Sequence, residues 1–282
     1  MRDFSSLNKE DYEEPACLIC DPRTGEKVSK SAIPMQRIVD KMNEYCDLKD
    51  FAGAERHLKY WLEEAKASGD LRGQFSLHNE MMGYYRKQGK YIEAVESVSD
   101  ALRLMAMLGN EESISGGTCH VNCGTVYDTF GEAEKALGHF RRAEEIFDRI
   151  EFRDLFRLGS LYNNMALALV YLQQYAEAME YYGKAFDTMR ELAGSGLEQA
   201  ITYLNMADCL AMDKGIDESQ AVIDDYLEKA WELINTEDLP RNGYYAFVCE
   251  KCAPGFNCYG AFEYGEELQA RADEIYARIK TE

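Results

Sequence analysis

The chain has 282 residues, 46% of them hydrophobic and only five of them proline, enough to bury a sizeable core in one or two domains. Thirty-one basic residues against fifty-one acidic ones leave a formal charge of −20, which repels phosphate backbones and anionic lipid and argues against nucleic-acid or membrane-surface partners. No apolar run approaches the roughly 20 residues that cross a bilayer, and the polar start "MRDFSSLNKEDYEEP" is unlike a signal peptide, so a cytoplasmic location is expected.

Residues 1–31 read as an N-terminal extended arm carrying "FSSL" and a first CxxC, Cys17 and Cys20, within "ACLICDP". A repeat follows. "IVDKMNEYCDLKDFAGAERHLKYWLEEA" sets Met42, Tyr45, Ala54, Leu58 and Trp61 in a spacing that then recurs. "HNEMMGYYRKQGKYIEAVESVSDALRLM", residues 78–105, repeats it with Met82, Tyr85, Ala94, Val98 and Ala101. In residues 120–147 the set is Gly124, Tyr127, Ala136, Phe140 and Ala143; in residues 162–189 it is Ala166, Leu169, Ala178, Tyr182 and Ala185, without a gap. A fifth copy holds Ala207, Leu210, Ile223, Leu227 and Ala230, with four extra residues in its middle, about one helical turn.

Apolar residues in each copy step by three and four, the period of one helix face, in two runs broken at "QGK", "FGE" or "LQQ". Small residues stand where two helices must cross closely, and aromatic residues fill the space beside them. Neither helix of such a pair hides its stripe alone, so pairs stack on one another. Glycine-bearing joints at 68–70, 108–110 and 194–196 separate successive pairs. The acid-rich run 217–238, eight acids against Lys229 alone, reads as a solvated helix face.

The register extends to "YAFVCEKCAPGFNCYGAFEYGEELQARADEIY", residues 245–276. Cys249 then matches Gly124 and Ala166, Cys252 matches Tyr127 and Leu169, and Ala261 matches Ala136. Residues 243–280 therefore read as a sixth, degenerate helix pair whose CxxC fills two packing positions, as small apolar side chains do. Pro254-Gly255 is expected to end its first helix. Cys119 and Cys123 fall in the same kind of buried stripe. The alternative is a structural zinc site drawing on Cys17, Cys20, Cys249, Cys252 and Cys258, whose pair spacing suits tetrahedral zinc. That site requires the arm, or a second subunit, to bridge opposite ends of the chain. Nine cysteines in all, an odd number, do not suggest a disulfide framework.

The pattern of a small residue, Tyr three later, then Ala, an aromatic four later and Ala three after that resembles the tetratricopeptide repeat. It covers residues ~34–236 in five copies, at a period of 40–45 residues similar to the kinesin light chain variety. The chain also resembles bacterial tetratricopeptide proteins of no assigned activity that end in similar CEKCAP segments. The resemblance implies an all-α, right-handed superhelical solenoid of about six stacked antiparallel helix pairs. Its parts are the arm 1–31, five pairs over 32–236, and a sixth pair over 237–282 acting as a C-terminal cap.

The resemblance further implies a concave groove lined by the first helix of each pair. Asn122, Asn164 and Asn205 each stand two residues before the small one. An amide both donates and accepts, so such a ladder can hold the backbone of an extended peptide, as asparagines at this slot do in related repeat proteins. Alternatively they bond neighbouring helices and stiffen the stack. Asn79, Thr125, Asn163, Leu167 and Asp208 are neighbouring groove candidates, with Arg86 and Lys87 as a local cationic spot. Thr118 and Ser160 replace cations that the carboxylate-clamp subset needs, which argues against an acidic chaperone tail as ligand.

No nucleotide-binding, zinc-protease or hydrolase motif is present, and His57, His78, His120 and His139 read as single core or flank residues. The expected function is a non-enzymatic scaffold, without cofactor, for a peptide or protein segment of basic character. The alternatives are the zinc protein above, and a groove occupied by the arm as a regulatory lid.

Overall fold

The computed structural model describes residues 33–279; the expected arm, with Cys17 and Cys20, lies outside them. Among the described residues are twelve α-helices and no strand. They are α1 (Met35–Asp47), α2 (Phe51–Ala67), α3 (Leu71–Lys87), α4 (Tyr91–Leu108), α5 (Ile114–Thr129), α6 (Ala133–Arg149), α7 (Leu155–Tyr171), α8 (Tyr175–Arg190), α9 (Gly196–Lys214), α10 (Ile216–Ile234), α11 (Gly243–Cys258) and α12 (Phe262–Ile279). Consecutive helices pack as six hairpins, the all-α helical-repeat architecture that the periodicity implies. None of these helices is long and apolar enough to cross a membrane.

The helices stop and start where local chemistry dictates. Gly69, Gly109 and Gly194 take the left-handed backbone at the joints, with φ of 69°, 65° and 83°. Within hairpins the same conformation falls to Gly89, Gly131 and, without glycine, Gln173. Side-chain caps then open α2, α3, α5 and α7, where Asp50, Asp70, Ser113 and Asp154 accept from the backbone N–H three residues on. Asn242 opens α11 by accepting from both Tyr244 and Tyr245 N–H.

The chain divides into two compact units, residues 1–152 and 153–282. In the first, a continuous core runs from Ile33 and Ile38 through Leu58, Leu77, Met82 and Val98 to Cys123 and Val126. In the second, Leu197, Ala207, Ile223, Leu227, Tyr245, Cys249, Phe256, Leu268 and Ala272 close one cluster. The third hairpin of the first unit, α5–α6, shows how a pair is held. Gly124 and Gly117 of α5 are buried under the rings of Phe140 and Phe147 of α6, with no space for a methyl group at either glycine. Burying a phenylalanine contributes about 1.5–3 kcal/mol, more than the roughly 1 kcal/mol that a helical glycine costs.

The four extra residues of the fifth copy lengthen helices, not a loop. Both α9 and α10 have 19 residues and are joined by Gly215 alone, at φ 86°. The acids Asp217, Glu218, Asp224, Asp225, Glu228 and Glu232 are exposed on α10, opposite its buried Ile223, Leu227, Ala230 and Ile234. That is the solvated face expected. Pro254 corrects an expectation: it lies inside α11, which continues to Cys258. Proline removes the N–H that would reach the Glu250 carbonyl, but Glu250 and Pro254 both lie on the exposed side of the helix, where that loss is tolerated and the helix runs on. Tyr259 and Gly260, at φ 84°, terminate it instead.

The histidines do not all stand singly. His120 of α5 and His139 of α6 meet Nδ1 to Nδ1 at 2.9 Å, so one ring donates to the lone pair of the other. Tyr127 stacks on His139 at 5.5 Å. Burial, the neighbouring His139 and Arg142 push His120 down to about 4, against Glu112. Burial also lowers His139, His57 and His78, the last two against a bond to the Ile38 carbonyl and the charge of Asp100.

Two outcomes follow. Gly124→Ala forces a methyl into the Phe140 ring and is expected to cost about 1–3 kcal/mol. Gly138→Ala, on the exposed side of the same hairpin where a Cβ meets nothing within 4 Å, should gain up to about 1 kcal/mol of helix propensity, both read by urea denaturation. Histidines kept neutral in the fold take protons in the unfolded chain at about 6.5, so stability present above that pH is lost as pH falls from 6.5 towards about 4. Melting temperature followed over that window should decline on acidification, and less so in His120→Gln, which keeps a hydrogen-bond partner for His139.

Candidate functional site

Every groove residue expected from the sequence lies on the first helix of a hairpin, and their hydrogen bonds separate them into two kinds. In the first unit the amides are occupied. Asn122 donates from Nδ2 to Asn79 Oδ1 at 3.0 Å, and Asn79 donates to the Phe75 carbonyl at 2.9 Å. The first bond ties α5 to α3, and the second lies within α3. Thr125 donates to the Asn122 carbonyl at 2.8 Å. Thr118 and Ser160 likewise bond carbonyls of their own helices, those of Ile114 and Phe156.

The cationic spot at Arg86 and Lys87 is weaker than its sequence implies. Burial lowers the Arg86 pKa, opposed by Asp128 of α5, and burial raises Asp128, opposed by Arg86. The charges thus face one another, although buried Arg86 Nε and Asp128 Oδ1 have no hydrogen-bond partner among the described residues. Lys87 is exposed and acts on Glu80, whose carboxyl is raised by burial. Asp128 follows Arg86 by 42 residues, one repeat period, and that spacing was the available sequence signal for the pair.

In the second unit Asn163 is occupied too, donating to Thr202 Oγ1 of α9 at 2.9 Å. Asn164 of α7 and Asn205 of α9 differ. Both are half-buried, and neither side chain forms a hydrogen bond within the described residues. Each offers an unspent donor and acceptor. Leu167 is half-buried on α7, and the Asp208 carboxylate accepts from Tyr259 OH at 2.6 Å.

Further residues on these helices escaped the periodicity. Tyr171, Met212, Tyr244 and Phe247 are large, apolar and exposed. Tyr244 OH donates to Glu198 Oε1 of α9 at 2.7 Å, and its ring lies 6.3 Å from that of Phe247 at 24°. Phe247 stands two residues before Cys249, the slot that asparagine fills in the middle copies; that substitution was its only signal.

The cysteines of α11 face inward. Cys249 and Cys252 are buried, and burial pushes their thiols up to about 11 and about 12, Cys249 against the nearby Arg271 and Arg241. Raised thiol pKa values favour the neutral, packing form over the thiolate that binds zinc. Cys123 donates to Met82 Sδ at 3.8 Å inside the other core, while Cys258 is exposed. No group of three or more His, Cys, Asp or Glu among the described residues is placed to hold a metal ion. The zinc alternative thus depends on Cys17 and Cys20, outside those residues.

A family model for the tetratricopeptide repeat matches residues 74–149 and 157–230. Comparison with curated proteins yields no match. Among solved structures, BtubC (BKLC) from P. vanneervenii is similar over 74% of this chain and 84% of its own, with a TM-score of 0.64 and 20% identity. The apo form of RapI aligns over 91% of this chain and 88% of its own, at a TM-score of 0.60 and 16% identity. Nearly identical TPR-like repeats from Podosopora anserina align over 73% and 96%, at 0.52 and 15%. At such identities the likeness is one of fold.

Proposed function

This chain belongs to the tetratricopeptide repeat family, and from that premise we propose that it is a non-enzymatic scaffold holding an extended peptide or protein segment along its first helices. The observation that carries the reading is the pair of unspent amides, Asn164 and Asn205, on successive first helices α7 and α9. Packed helices lie about 8–10 Å apart and an extended chain advances about 3.3 Å per residue, so successive asparagines would meet a peptide about every third residue. Each amide can accept a backbone N–H and donate to a backbone carbonyl, whatever the side chains.

Asn122 belongs to the same recurring slot, but part of its amide is committed to Asn79, so its share in capture is through its remaining Oδ1. The net charge of −20 favours a basic partner and opposes nucleic acid or anionic membrane. Cys119, Cys123, Cys209, Cys249, Cys252 and Cys258 are free thiols, which suits a reducing, cytoplasmic setting. No cofactor enters this reading.

The test uses twelve-residue peptides selected by display on the wild-type protein. Two amide–backbone contacts at about 0.5–1.5 kcal/mol each amount to roughly a 5- to 150-fold change in affinity. Asn164→Ala/Asn205→Ala should weaken the selected peptides by that order while keeping the wild-type melting temperature. Asn122→Ala, in the first unit, should cost about 1 kcal/mol of stability, since it strips Asn79 of a partner. Unchanged peptide affinity in the double variant would sink the reading.

A further inference from the structure

The second unit leaves an acid and two rings without a cation. Elsewhere the chain spends its basic residues on its own rings and acids. Lys90 and Lys135 sit over Tyr85 and Tyr127, and Arg241 and Arg271 over Tyr245 and Trp231. Glu55 pairs with Lys59 and Lys90, and Glu112 with Arg142 and Arg149. By contrast, Glu198 receives only the hydroxyl of Tyr244, and no lysine or arginine among the described residues pairs with it. Nor does any such cation lie over the rings of Tyr244 or Phe247, which are 44% and 48% exposed.

Tyr244 and Glu198 are fixed to each other from two helices, and Phe247 lies beside Tyr244. The bond from Tyr244 OH to Glu198 Oε1 pins the ring of α11 against α9 and leaves Glu198 Oε2 without a partner among the described residues. Phe247 follows Tyr244 by three residues on the same helix face, their rings 24° from parallel. Two half-exposed rings, one of them bonded to an uncompensated carboxylate, attract a cation, the rings through their quadrupoles and the carboxylate through charge. A planar guanidinium suits this better than a compact ammonium, because it can stack on a ring while an N–H reaches the acid.

We propose that Tyr244, Phe247 and Glu198 form a subsite for a cationic side chain, an arginine in preference to a lysine, of a peptide segment bound along the first helices. Its biological meaning rests on the scaffold reading above; its chemistry does not. Phe247 occupies the register slot of the asparagines, so side-chain readout here continues the face on which Asn205 would hold the backbone one hairpin earlier. The subsite also gives the acidity of the chain a local purpose: it selects where along a peptide the positive charge must fall.

Alanine-based nine-residue peptides with one central arginine, lysine, citrulline or norleucine are the probes. Backbone amide shifts of Tyr244 and Phe247, followed by NMR at millimolar peptide, report occupancy. The arginine peptide is expected to bind at least roughly fivefold more tightly than its neutral isostere citrulline, and less tightly as salt is raised. Glu198→Gln keeps an acceptor for Tyr244 OH, and Phe247→Ala removes a ring; each should erase the preference for arginine over citrulline while leaving the citrulline peptide unaffected. Equal binding of the arginine and citrulline peptides, no arginine-dependent shift at these amides, or an unaltered preference in Glu198→Gln would overturn the subsite. In Asn164→Ala/Asn205→Ala the preference should survive even if all peptides weaken alike, so failure of backbone capture and failure of the cation subsite give different results.

Discussion

The arrangement of the α5–α6 hairpin depends on how closely its two helices can cross, and that depends on the absence of a side chain. At Gly124 the backbone of α5 lies directly beneath the Phe140 ring, and at Gly117 beneath Phe147. Where alanine replaces glycine, as at Ala166 and Ala207, the position is equally buried. A small residue against a large one sets the rotation of the first helix about its axis. Once that rotation is set, the residue two positions earlier stands on a fixed side of the helix. In this way a packing rule in the core sets the helix face on which Asn164, Asn205 and Phe247 stand, while rotamer and neighbour decide what each side chain bonds.

The core was therefore the legible part of the sequence. Gly124, Phe140, Ala143 and their counterparts could be aligned because helix period and residue size are both local properties. The same register exposed the sixth hairpin through Cys249 and Cys252, where a motif search alone pointed to metal. Lateral contacts between hairpins were not legible in that way. Nothing in the period says that Asn122 would turn to Asn79, or that Asn163 would turn to Thr202, while Asn164 would bond neither. Rotamer and neighbour decide those, and neither is written in one helix. Pro254 misled for a related reason: proline breaks a helix most surely in a buried interior, and here Glu250 and Pro254 stand on the exposed side.

Charge divides in the same manner. The total of −20 is read from composition, but its effect depends on which acids keep their charge uncompensated. On α10 the acids face solvent, where screening makes each interaction small. Glu55 and Glu112 are spent on basic neighbours within the chain. In the second unit, Glu198, Asp208 and Glu250 accept from Tyr244, Tyr259 and Tyr276. A phenol fixes a carboxylate in place without neutralising it. Tyrosine is thus the side chain that lets an acid be both oriented and still attractive to an external cation.

Backbone capture and side-chain capture supply different things to a binding face. Amide contacts to a peptide backbone are indifferent to sequence, and each is worth only about 0.5–1.5 kcal/mol, so a few of them hold an extended segment weakly and in any register. A peptide could slide along such a face by one contact at nearly constant energy. One side-chain subsite changes that, because a cation stacked at Tyr244 and Phe247 would be lost on sliding by even one residue, which turns the next side chain to the opposite side of an extended strand. In the proposed reading, register then follows from a single anchor beside a non-specific track. The replacement of asparagine by Phe247 in α11 is, on the same reading, where a face that would hold many segments becomes one that would choose among them.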